Sequence, residues 1–169
     1  MTRAFRRIRG TDKVRVTLPA LDAELLRHLG DQLQALLATS APGDPVHDRL
    51  YPRVYLDPTE EEAEGEWQRY LHDDLVAERL AAVDALVATL DRGEVDDGIV
   101  TTDLEPEEVG RWLSTLNDAR LALGTRLGVT EERDLDDVPE DADERPAWEV
   151  YDWLTWMQSS LLGALGFAT

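Results

Sequence analysis

Residues 59–91 hold the longest unbroken helical pattern in the sequence, and it constrains the fold more than any other feature. Trp67, Leu71 and Leu75 form one apolar stripe. Val76, Leu80, Val83, Val87 and Leu90 form a second, rotated around the cylinder. A helix with two such stripes packs against different neighbours along its length and sits at the centre of a bundle. Thr59, with Glu62 three residues on, reads as a capping box, and the acids Glu60, Glu61 and Glu62 suit the positive helix end.

The flanking segments supply partners for that helix. Pro19 opens a helix to about residue 39, striped by Leu18, Leu25, Leu29, Leu33, Leu36 and Leu37. Pro106 begins another, over 105–128, with Val109, Trp112, Leu113, Leu116, Leu123 and Leu127 inward and Gly128 as its left-handed stop. A last helix over 146–166 carries Val150, Trp153, Leu154, Met157, Leu161 and Leu165. Ahead of them, residues 1–18 alternate in a two-residue period at Val14, Val16 and Leu18, with Gly10 in the connecting loop. That pattern describes a β-hairpin, and Ile99-Val100-Thr101 offers a short third strand beside it. Residues 40–45 read as a loop, and Leu50–Leu56 as an irregular apolar stretch. Residues 130–145 hold nine acids against two arginines and read as a solvated linker. With 169 residues, the expected architecture is one domain, mainly α, a bundle of about four main helices with a small N-terminal hairpin.

Charge divides the chain. Residues 1–16 carry Arg3, Arg6, Arg7, Arg9, Lys13 and Arg15 against Asp12 alone, a net +5, while the remainder carries −24. A body that negative repels phosphate and speaks against broad nucleic-acid binding. The basic segment either makes a local contact, to DNA or to a partner, or rests on its own acidic neighbours.

Several function classes drop out. The chain has no cysteine, which removes disulfides, thiolate ligands and thiol nucleophiles. No glycine fingerprint, Walker loop or nucleophile elbow is present. His28, His47 and His72 fall in separate elements without metal-ligand spacing, so neither a metal nor a cofactor is expected. Thirty-six carboxylates make pairs of acids uninformative about acid–base catalysis. No apolar run approaches the ~20 residues of a membrane span, and residues 1–10 lack the apolar core of a signal peptide. The expectation is a cytoplasmic, non-enzymatic protein.

Two features call for partners. Arg120 falls within the apolar stripe of the 105–128 helix, where a guanidinium must be paired because it cannot shed its charge. Asp74 and Glu78 on the central helix are candidate acids for a structural ion pair. The other reading has Arg120, with Asn117 and Arg126, holding an anion or a partner's acid. Five tryptophans are the second feature. Trp67, Trp112 and Trp153 are core by position, whereas Trp148 and Trp156 leave the stripe of the last helix and, with Tyr151, form either a buried contact or a self-association surface suited to a homodimer.

The run Leu116-Asn117-Asp118-Ala119-Arg120-Leu121-Ala122-Leu123-Gly124-Thr125-Arg126-Leu127-Gly128, with Tyr151-Asp152-Trp153-Leu154-Thr155-Trp156-Met157-Gln158 downstream and Leu50-Tyr51-Pro52 upstream, resembles an actinomycete family. That family is catalogued as a domain of unknown function, and its members are named oxidative-stress transcriptional regulators (AosR). The resemblance spans nearly the whole chain. It implies a cytosolic regulator acting through RNA polymerase or a sigma factor, and, as an alternative, an adaptor or modulator of Clp proteolysis. A thiol switch cannot operate in a chain without cysteine, and Met157 reads as core.

Overall fold

The computed structural model describes residues 3–132 and 140–167. Its elements are β1 (Phe5–Arg7), β2 (Val14–Pro19), α1 (Ala20–Thr39), α2 (Pro45–Leu50), α3 (Glu61–Asp91), β3 (Glu94–Asp96), β4 (Ile99–Leu104), α4 (Pro106–Leu127) and α5 (Arg145–Ala164), with a 3₁₀ turn at Pro58–Glu60 before α3. The architecture is mainly helical with a small antiparallel sheet, as the pattern of stripes and turns predicts. The centre of the expected acidic linker, 133–139, lies outside the described residues.

The sheet is larger than a hairpin. Its order is β1-β2-β4-β3, all antiparallel, with Phe5 opposite Val16 and Val14 opposite Leu104. The anticipated third strand runs on to Leu104, and β3 is a fourth. Asp97 and Gly98 link β3 to β4, both at positive φ (46° and 74°), the signature of a two-residue type I′ turn. The Gly98 carbonyl accepts from the Ala20 amide at 2.8 Å, tying this turn to the start of α1.

One face of the sheet is dry. Phe5, Val14, Val16, Leu18, Val100 and Leu104 pack on Leu26 of α1, Leu86 and Leu90 of α3, Trp112 and Leu116 of α4, and Leu154, Met157 and Leu161 of α5. Trp112 is fully enclosed; its ring meets Phe5 edge-on at 5.8 Å, and its Nε1 donates to Thr89 Oγ1 at 2.8 Å. A second cluster joins Leu33 and Leu37 of α1 to Val46 and Leu50 of α2, Tyr51, Val83 and Ala122.

Five local expectations change. In α1 the buried line is Ala23, Leu26, Gly30, Leu33 and Leu37, so Leu26 rather than Leu25 points inward. Gly30 lies on that line because a Cβ there would stand 3.3 Å from Val83 of α3. The segment before Tyr51 is a short helix, capped by Asp44, whose carboxylate accepts from the amides of Val46 and His47. Asp57, not Thr59, caps the entry to α3: it accepts from the Thr59 amide at 2.9 Å. Finally, only the C-terminal half of α3 is central. Leu71 is 44% exposed and Trp67 half-buried, because the first part of the helix runs beyond the sheet and its packed neighbours. Trp153 is likewise half-buried, packed at the margin of the first cluster.

Candidate functional site: a buried ion pair and a basic sheet edge

The ion pair expected between the 59–91 and 105–128 helices exists, but with its polarity reversed. Arg79 of α3 pairs with Asp118 of α4, the latter almost wholly buried. A second Arg79 nitrogen donates to the Leu50 carbonyl at 2.9 Å, and the guanidinium lies 5.0 Å over the Tyr51 ring. Burial pushes the Asp118 carboxyl above its ordinary value, outweighing the opposite pull of Arg79. Arg120, two residues along, has turned away. Its Nε is buried with no hydrogen-bond partner among the described residues, and neither Asp74 nor Glu78 comes within ion-pair distance. Both of those acids are exposed.

Around the Arg79–Asp118 pair, α2 closes an aromatic cluster. Tyr51 meets His47 at a tilt and His72 edge-on, centroids 5.1 and 4.9 Å away, and the two imidazoles are 5.2 Å apart. His47 is almost fully buried, and desolvation, then the neighbouring His72, hold its pKa below the usual imidazole value. Burial also raises the Tyr51 phenol. Sequence reasoning missed this convergence: 25 positions separate His47 from His72, and no local period relates them. Of the sequence motifs, Leu50-Tyr51-Pro52 supplies Tyr51 to the cluster, and the Leu116–Gly128 run supplies Asp118 to the pair it surrounds.

Asn117 faces a polar crevice of about 490 Å³ between α3 and α4, which Glu78, Arg79, Arg111, Ser114 and Asp118 also line. Its Oδ1 accepts from Gln158 Nε2 at 3.4 Å, joining the two sequence motifs across α4 and α5. Arg126 instead borders a shallow hollow between α1 and α4, with Leu29 and Leu36. Asn117, Arg120 and Arg126 therefore do not converge on one anion site.

The basic segment splits in two. Arg7 pairs with Asp12 at 2.7 Å, Lys13 with Glu105 at 2.5 Å, and Arg15 grips both oxygens of Asp103 at 2.7 and 2.9 Å. Arg3, Arg6 and Arg9 are exposed, with no carboxylate within 4 Å among the described residues. The aromatics of α5 also separate. Trp148 meets Tyr151 edge-on at 6.2 Å, and Tyr151 covers Gly124 of α4, where an added Cβ would come within 2.9 Å of the ring. Trp156 lies elsewhere on the helix. It is 41% exposed and borders a groove of about 560 Å³ whose other wall is Arg3, Arg6 and Arg7. No helix is long and apolar enough to cross a membrane among the described residues.

These features define an acidic helical domain with a small sheet, one edge of which carries exposed arginines with no carboxylate in reach among the described residues. The chain belongs to the family described as a domain of unknown function, DUF2017, which matches residues 2–165. It is similar to proteins named oxidative stress regulator AosR from Mycobacterium tuberculosis, in two strains, and from Mycobacterium bovis. Each is 30% identical over 133 residues, covering 72% of this chain. The chain spans 58% of the length of those relatives. No solved structure matches it.

Proposed function

We propose that this chain is a non-enzymatic regulatory protein that works through contacts with other proteins, in particular components of the transcription machinery. The carrying observation is the sheet edge, where Arg3 and Arg6 stand exposed beside Trp156 on a molecule otherwise strongly negative. Arginine and tryptophan are the side chains that most often dominate protein–protein binding energy. The name of the mycobacterial relatives, an oxidative stress regulator, supports a regulatory role. Because this chain has no cysteine and Met157 is fully enclosed, an oxidant signal reaches it through a partner rather than a thiol of its own.

Affinity capture from the native cytosol at low and high salt tests this reading. RNA polymerase or sigma-factor subunits are expected at low salt and lost at high salt, where screening shortens the reach of the charges. Capture of Clp components instead would redirect the role to proteolysis. Turnover of a small substrate, abolished by changing one carboxylate, would overturn it.

A further inference from the structure

The groove between β1 and α5 has two unlike walls. One is formed by Arg6 and Arg7 of the edge strand β1, with Arg3 just ahead of the bend at Ala4. The other is the face of α5 that presents Trp156, Ser160 and Gly163, so a large aromatic stands at one end of a floor of small side chains. Charges on an edge strand guard a sheet against unwanted strand pairing, and that alone accounts for arginines on β1. It does not account for an open tryptophan directly across from them, since an exposed aromatic beside a sheet edge invites association.

We infer that this groove binds a short, extended, acidic segment of a partner protein, its carboxylates on Arg3 and Arg6 and an apolar or aromatic side chain against Trp156. Charge selects the occupant. Guanidinium groups hold carboxylates in a two-pronged geometry, and Arg3 and Arg6 have no such partner within the described chain, whereas Arg7 already has Asp12. Nucleic acid is the poorer fit. A duplex contact neutralises some 6–10 phosphates, while Lys13 and Arg15 are engaged by Glu105 and Asp103 and the surrounding body is negative. A groove with two guanidinium groups open to carboxylates suits a segment a few residues long.

The inference rests on the reading that the chain acts by protein contacts, but it can be tested separately. The full chain is titrated into a fluorescein-labelled peptide of Asp and Glu with one central Phe, read by anisotropy. A matching peptide of Asn and Gln and a labelled DNA duplex run in parallel. The acidic peptide is expected to bind, the neutral one not, and both Arg3→Glu/Arg6→Glu and Trp156→Ala to weaken binding about tenfold or more. Circular dichroism of these surface variants confirms that they fold. Peptide binding unchanged by both variants, or duplex binding tighter than peptide binding and lost with them, overturns the proposal. So does self-association of the chain abolished by the same changes, which would make a second copy the occupant. If the peptide binds as expected while capture brings down no transcription subunit, the groove stands and the proposed role falls.

Discussion

Arg79 holds Asp118 from across the α3–α4 interface while also donating to the Leu50 carbonyl, so one guanidinium ties three segments together. An acid buried this deeply depends on its partner. Arg79→Met leaves it uncompensated and is expected to cost about 3–5 kcal/mol, whereas Arg79→Met with Asp118→Leu costs far less because no charge remains inside. Urea unfolding of the three proteins measures the difference. The pH dependence of the single variant has a definite sign. Asp118 already sits above its ordinary 3.8 when folded, so its contribution favours folding at acidic pH and is lost as pH rises through the folded value. Removing Arg79 raises that value further. The gap between variant and parent should therefore narrow on acidification.

The imidazole of His47 works in the opposite direction. Its pKa is depressed from 6.5, by burial first and His72 second, so the unfolded chain takes up the proton more readily. Stability attributable to it is complete above about pH 6.5 and declines as pH falls below that value. Asp44 and Asp48 oppose this depression without reversing it. His47→Gln removes the titrating group, so the fall in unfolding free energy between about pH 7 and pH 5 is expected to flatten. Urea unfolding of parent and variant at several pH values across that window reads the two slopes.

Two glycines separate close packing from helix propensity. Gly124→Ala drives a methyl to within 2.9 Å of Tyr151 and is expected to destabilise by about 1–3 kcal/mol. Gly65→Ala, in α3 with open space around it, is expected to stabilise by about 0.5–1 kcal/mol. Thermal melts of both would show shifts of opposite sign.

The hydrogen bond from Trp112 Nε1 to Thr89 Oγ1 is enclosed on all sides. Thr89→Val strands the indole N–H and is expected to cost about 1–3 kcal/mol. Trp112→Phe removes the donor and leaves a cavity. The double variant should cost less than the two separately, a coupling that a double-mutant cycle reads directly.

Much of the fold was legible because it is written in local chemistry. Pro19 and Pro106 mark helix starts, and Gly128 at φ 68° stops α4. What was not legible has particular causes. In α1, leucines at 25, 26, 29, 33, 36 and 37 leave the helical phase ambiguous, and the choice of Leu26 follows from where α3 lies. Six residues of α2 are too few to show a period. All three residues of β3 are exposed, so no alternation announces it. The polarity of the Arg79–Asp118 pair depends on the relative rotation of two helices, which neither helix encodes alone. The site was legible in its charges and not in its grouping. The basic residues of 1–16 were visible, but which were already engaged depended on Asp103 and Glu105, about ninety positions away.

That separation has a consequence for the growing polypeptide. β2 lies between β1 and β4, and Val14 finds Leu104 only after α1, α2 and α3 have been made. The first strands to leave the ribosome thus wait, as a hairpin too small to persist by itself, for a segment made some eighty residues later. Nascent chains that stall before β4 would carry the arginine-rich ribbon without its strand partner, and with Arg15 and Lys13 still lacking Asp103 and Glu105.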